Sequence, residues 1–195
     1  MERTRIPIHV RVSIVMDSPF HVGGGKGVDG VCSYLLRDGA GNPYWPGSAF
    51  KGKVRHFARL LFESNGGCCV FDHALKTDIN KTPCGCIVCD MLGSAGNSPG
   101  SLRFIDMSFK DKTFASSEMR TGNAIDRRRR VANDNSLFQI ETVGTGESIL
   151  IGEIIGTLSA DSFDDQKALL EAAVSAIPHI GGNTGRGVGG GVSRG

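Results

Sequence analysis

At 195 residues the chain suits one domain, or a core domain with a sizeable insertion, and 39% hydrophobic residues suffice for a core. With 22 basic residues against 20 acidic ones the net charge is only +2, which excludes a polyanion-attracting field over the whole surface. Any nucleic-acid function must therefore rest on local clusters. No stretch reaches the length of a membrane span and no apolar leader precedes the first strand-like segment, so the expected location is cytoplasmic, with no membrane partner.

Residues 6–16 alternate strictly, with Ile6, Ile8, Val10, Val12, Ile14 and Met16 on one side and Pro7, His9, Arg11 and Ser13 on the other. The pattern predicts a half-buried strand. The stretch from Ser18 to Gly25 predicts a loop, and Val31–Arg37 a second strand ending in the turn Asp38-Gly39-Ala40-Gly41-Asn42-Pro43. A helix follows Pro46-Gly47-Ser48, with Ser48 as its expected N-cap. Phe50, Val54, Phe57 and Leu61 form its inward stripe, and Lys51, Lys53, Arg55 and Arg59 an exposed basic side.

Residues 66–100 read as irregular. Leu102–Phe109 predicts a strand, residues 110–147 a polar insertion with a strand-like piece at Leu137–Val143, and Ser148–Leu158 an apolar strand. Phe163–Ile177 predicts an amphipathic helix with Phe163, Leu170, Ala173, Val174 and Ile177 inward and Asp161 or Ser162 as cap. A glycine-rich run from Gly181 closes the chain. Two helices against an antiparallel sheet define an α+β, ferredoxin-like domain spanning 1–195, with a cysteine-rich insertion at about 66–100 and a second insertion at about 110–147.

The sharpest chemical signal is the cysteine cluster. Cys84, Cys86 and Cys89 place three thiolates within six positions, and Cys68 or Cys69 supplies a fourth, with His73 competing for that place. Four such ligands suit a closed structural zinc site in a reducing compartment; an iron–sulfur cluster uses the same ligand set. In the terminal run, Gly181, Gly182, Asn183 and Gly187 let backbone pass close to phosphate, and Arg186 adds a guanidinium fork. Lys51 lies near the helix start, where backbone amides also favour phosphate. Arg127, Arg128 and Arg129, with Arg130, form a basic run suited to tracking a phosphate backbone. Asp29 stands among glycines beside Lys26 and near His21, where a carboxylate either holds Mg²⁺ or Mn²⁺ or simply serves a turn.

In their order these segments resemble the RAMP superfamily, and within it the Csm- or Cmr-type backbone subunits of type III CRISPR complexes. The stretch from Ser18 to Gly25 is similar to the family's first loop. Arg37-Asp38-Gly39, followed by Tyr44-Trp45-Pro46-Gly47-Ser48-Ala49-Phe50-Lys51-Gly52-Lys53-Val54-Arg55, resembles its most recognisable stretch. Cys86-Ile87-Val88-Cys89-Asp90-Met91-Leu92-Gly93 is similar to its cysteine-pair motif. Ile125-Asp126-Arg127, Leu137-Phe138, Glu141 and Gly146 resemble its thumb-like hairpin and the strand after it, and the terminal glycine run completes the pattern.

The resemblance implies a subunit that binds guide crRNA, stacks with other RAMP subunits of a type III effector complex, and kinks the guide–target RNA duplex with its thumb. His21, Gly23, Gly24, Gly25, Lys26, Ser48, Lys51 and Arg55 would join the RNA contacts. It also implies metal-dependent target-RNA cleavage by a loop aspartate. That position falls near Cys32, and Asp29 lies three residues earlier. Either the loop is reshaped so that Asp29 reaches, or the subunit binds without cutting. Two other readings stand beside this one: a guide-processing endoribonuclease with His21 as general acid or base, and a non-catalytic, zinc-stapled assembly subunit.

Overall fold

The alternating apolar positions at the start of the chain form a long strand, β1 (Arg5–Met16), and burial deepens along it until Val12, Ile14 and Met16 are enclosed. The structure, a computed structural model, describes residues 4–26, 31–64, 86–93, 99–110, 117–143, 148–182 and 190–193. After β1 come the short strands β2 (Gly23–Lys26), β3 (Val31–Leu35) and β4 (Tyr44–Trp45), then helices α1 (Gly47–Glu63) and α2 (Ile87–Leu92). Strands β5 (Leu102–Phe104), β6 (Met107–Phe109), β7 (Ser117–Ile125), β8 (Ala132–Val143) and β9 (Ser148–Ser159) follow, then helix α3 (Phe163–Ser175) and strands β10 (His179–Ile180) and β11 (Gly190–Ser193).

Among the described residues, one sheet runs in the order β10-β11-β1-β9-β6-β4, with β5 also paired to β9. The central order β11-β1-β9-β6, with α1 and α3 in the crossovers, is the βαββαβ arrangement of a ferredoxin-like fold. A second sheet has the order β2-β3-β8-β7. Its β7–β8 pair is a long antiparallel hairpin, and β3 joins β8 in parallel.

The chain forms two compact units from interleaved segments. The first is Met1–Val12, Pro46–Asp106 and Gly152–Ile177; the second is Ser13–Trp45, Met107–Ile151 and Pro178–Gly195. In the first, α1 packs on α3, and Phe50 meets Phe104 edge-on at 5.1 Å between ring centroids. Phe50, Val54, Val88, Met91 and Ile154 there are wholly enclosed. In the second, Phe20 meets Phe109 edge-on at 5.7 Å, and Trp45, Met107, Leu150 and Ile180 are buried.

Several local expectations change. Ser48 is not the N-cap of α1: Pro46 holds that position, and the Gly47 amide donates instead to the Asp106 carboxylate at 2.7 Å. The residue that caps the helix thus comes from a distant loop, and Asp106 leaves the expected strand Leu102–Phe109 to reach it, dividing that strand into β5 and β6. Gly47 is required by packing, because a Cβ there would collide with the Phe104 carbonyl. The inward stripe of α1 is Phe50, Val54 and Ala58, while Phe57 and Leu61 are only half-buried. Gly23 to Lys26 is a strand paired with β3, not a loop. Part of the terminal glycine run is likewise strand: β11 pairs with β1 and β10. The strand-like piece at Leu137–Val143 is the inner half of a hairpin twice as extensive, and a short helix, α2, lies inside the segment expected to be irregular.

Candidate nucleic-acid interface

In the second unit, His21 and Glu141 organise the glycine segments. The His21 ring is buried, with Nδ1 at 2.6 Å from the Glu141 carbonyl oxygen and Nε2 at 3.2 Å from Ser33 Oγ. A carbonyl only accepts, so Nδ1 is the donor in that bond, while Nε2 is engaged with the serine hydroxyl. Both ring nitrogens are engaged in a buried setting, which gives His21 a bracing role at this site. The general acid–base role expected of it gains no support from the geometry. The His21 carbonyl accepts from the Gly182 amide at 2.8 Å. Gly181 has φ +86, and a Cβ there would stand 2.5 Å from the same carbonyl, so this position needs glycine on both counts.

The Glu141 carboxylate is also buried. It accepts from the Leu35 amide at 2.9 Å and from the Arg37 guanidinium at 2.6 Å. Burial alone would push its pKa up, but hydrogen bonds from the Ser117 side chain, the Leu35 amide and Arg37, with the Arg37 charge, outweigh it and hold the pKa below the ordinary carboxylate value. The linked stability is therefore present above the unfolded pKa and is lost as pH falls through the lowered folded value. The stability difference between wild type and Glu141→Gln, measured by urea unfolding, should shrink as pH falls from about 6 to about 3. A constant difference across that range would show that the carboxylate charge is not what these partners hold.

From this base the β7–β8 hairpin runs to a turn at residues 126–131. The Asp126 carboxylate accepts from the amides of Arg128 at 2.7 Å and Arg129 at 3.1 Å, and Arg130 takes the left-handed φ of +57. Arg127, Arg128, Arg129 and Arg130 are all exposed at this tip. Along the hairpin, Met119, Ile125, Val131 and Leu137 are exposed as well, with Leu137 at 70%. In the β7–β8 register, Met119 pairs with Glu141 and Asn123 with Leu137, so the apolar Met119 and Leu137 share one face with Thr121, Asn123 and Gln139.

In the first unit, the basic side chains of α1 are half-buried, and the bonds they make fold them back onto the protein. Lys51 Nζ donates to the Leu102 carbonyl at 3.4 Å, and Arg55 donates to the carbonyls of Leu92 at 3.2 Å and Gly93 at 2.6 Å. Burial, and then the neighbouring Arg55 charge, lower the Lys51 pKa. Arg59 pairs with Glu63. Among the described residues neither Lys51 nor Arg55 has a carboxylate partner within ion-pair distance.

Cys86 caps α2, its sulfur accepting from the Cys89 amide at 3.5 Å, and Cys89 is buried. Two cysteines three residues apart at a helix start suit half of a zinc ligand set. Among the described residues no group of three metal ligands assembles. Cys68, Cys69, Cys84 and His73 lie outside them, as do Asp29, Asn183, Arg186 and Gly187.

The roles of Glu141, Asp90, Asp106 and Gln166 are missed by sequence reasoning. Asp90, directly after Cys89, takes both Arg5 terminal nitrogens at 3.1 and 2.9 Å and Gln166 Nε2 at 2.9 Å, while Gln166 Oε1 accepts from the Ser159 amide. The one available signal was Gln166 itself, a polar residue at a helical position that packs inward.

These features define an α+β protein of the ferredoxin-like class, with a glycine-edged second sheet carrying a basic-tipped hairpin. Solved structures that share the fold include two of the type III-B Cmr-beta. One is described as a cryo-EM structure of the type III-B Cmr-beta bound to cognate target RNA, with TM-score 0.63 and 14% identity over 95% of each chain. The other, the type III-B Cmr-beta apo state, has TM-score 0.62 and 14% identity over 95% of this chain and 96% of that one. No curated protein is a significant sequence match. The chain belongs to the RAMP superfamily, which it matches over residues 13–192. No helix among the described residues is long and apolar enough to cross a membrane.

Proposed function

We propose that this chain is a guide-RNA-binding backbone subunit of a type III CRISPR effector complex, in which the β7–β8 hairpin is the arm that enters the guide–target duplex. The observation that carries this reading is the hairpin itself: four exposed arginines at its tip and exposed Met119, Ile125 and Leu137 along it. Guanidinium groups pair with phosphate, and exposed apolar side chains are suited to stacking against unpaired bases, so one arm combines both demands of RNA binding. Membership of the RAMP superfamily and the likeness to Cmr-beta chains support the same reading. Lys51 and Arg55, without carboxylate partners among the described residues, would add a second phosphate contact. Asp29 lies outside the described residues, so target cleavage is no part of this proposal.

The test is binding of the purified chain to single-stranded and duplex RNA across a salt series. Affinity should be poorly sequence-selective and should fall steeply with salt, because backbone contacts position the ligand and release counterions. A salt-independent affinity, or none, would overturn the proposal.

The proposal includes one structural zinc per chain, held by Cys84, Cys86 and Cys89 with Cys68 or Cys69. Elemental analysis should return about one equivalent of zinc, and Cys86→Ser together with Cys89→Ser should remove it. A metal-free protein of unchanged stability would rule the site out.

A further inference from the structure

At its foot the hairpin is attached by backbone at two places: β8 pairs in parallel with β3, and Val143 exchanges two backbone hydrogen bonds with Phe20. Among the described residues the parallel pairing has the register Val31 with Gln139 and Ser33 with Ile140, with a shift between them. Both attachments lie at the foot of β8, so the direction of the long hairpin is sensitive to the side chains packed there. The direction matters because β8 extends from Glu141 to Ala132, about 30 Å at roughly 3.3 Å per residue, so a tilt of about 5° at the base displaces the tip by about 2.5 Å.

What stands at that base is Glu141. Its two carboxylate oxygens take separate partners on and beside β3, the Leu35 amide and the Arg37 guanidinium, and the Ser117 side chain at the start of β7 bonds to it as well. Its carbonyl accepts a hydrogen bond from His21 Nδ1, and the His21 carbonyl in turn accepts one from the Gly182 amide. One residue therefore ties together both strands of the hairpin, β3, and the glycine segment at residues 181–182. Because Glu141 is buried with both carboxylate oxygens bonded, a tilt at the base of the hairpin must bend or break those bonds.

We infer that Glu141 is a positioning residue that aims the arginine tip of the hairpin relative to β3 and the Gly181–Gly182 segment. The inference deepens the proposed function, since it names the residue through which the RNA-binding arm is oriented, and it rests on that reading only in its second test.

The experiment uses the full chain and two variants, Glu141→Gln and Glu141→Leu. Leucine keeps an apolar filling if glutamine proves unstable. The first arm needs no RNA. Hydrogen exchange should quicken in Leu35 and in residues 117–125 and 132–143 of both variants, with peptides from α1 and α3 unchanged. Exchange that is unaltered in the hairpin, or raised equally everywhere, overturns the inference. The second arm is a double-mutant cycle on RNA affinity between Glu141→Leu and the pair Arg128→Ala with Arg129→Ala. If Glu141 aims the tip, removing the arginines should weaken binding at least about fivefold less in the Glu141→Leu background than in wild type. Additive losses, as general destabilisation would give, overturn it. A wild-type chain that binds no RNA defeats the proposed function and leaves the first arm to decide the role of Glu141.

Discussion

Asp90→Ala should lower the stability of the chain by about 3 kcal/mol, the lower end of what breaking one side of a buried ion pair does. For a chain of this size that is a fall in Tm of roughly 10 °C. The Asp90 carboxylate is 19% exposed and its Arg5 partner 30%, so solvent screens the pair only partly. Removing the carboxylate strands three donors at once: both terminal nitrogens of Arg5 and the Gln166 amide. Arg5 Nε also donates to Thr157 and Gln166 accepts from Ser159, so β1, β9, α2 and α3 lose a common junction. Unfolding by urea, followed by circular dichroism, reads the effect. The double variant Arg5→Met with Asp90→Leu should recover only part of the loss, since it removes the two stranded Arg5 donors but leaves the buried Gln166 amide unpaired. A loss below about 1 kcal/mol for Asp90→Ala would mean that water replaces the carboxylate and that the pair is effectively a surface one.

The junction also bears on the cysteine pair. Asp90 follows Cys89, and α2 buries Val88, Met91 and Leu92. The helix that carries Cys86 and Cys89 is thus seated in the first unit's core. The sequence places these cysteines in an insertion at about 66–100, and from that reading replacing Cys86 should destabilise the insertion more than the core. With α2 part of the core, loss of Cys89 should be felt by α1 and α3 too.

Replacing Arg127, Arg128 and Arg129 together by alanine should cut RNA affinity about a hundredfold at roughly 0.1 M salt, if each arginine neutralises one phosphate of a single strand at about 0.7 in the logarithmic salt slope. The same count predicts that the slope falls by about 2 and that wild type and variant converge near 1 M salt. The stability of the chain should hardly change, because all three side chains are exposed and the turn is held by the Asp126 carboxylate through backbone amides. Affinity measured at three or more salt concentrations decides it. An unchanged slope would place the arginines away from phosphate, whatever the change in affinity at one salt.

Elements whose residues speak for themselves were legible in the sequence. β1, β9 and α3 appear within a few residues of where periodicity puts them, because alternation and 3.6-residue spacing are local consequences of burying one face. The four arginines likewise read as an exposed basic cluster, since such a run is seldom buried.

What partners do was not legible. Gly23 to Gly25 and the final glycines look like loop by composition, yet β2 and β11 are strands, because a backbone edge across from them supplied the hydrogen bonds that glycine does not itself favour. Ser48 carries the local signature of a cap, but Asp106, far along the chain, reached the first amide instead. The basic side of α1 looks solvent-facing by spacing, whereas the carbonyls ending α2 drew Arg55 inward. The sequence by itself determined the ferredoxin-like order of strands and helices, the basic tip and the cysteine pair, since these depend on the kind and spacing of nearby residues. Only the tertiary structure decided that Glu141, Asp90 and Asp106 are the junctions, because a carboxylate takes its role from donors that other segments bring within about 3 Å.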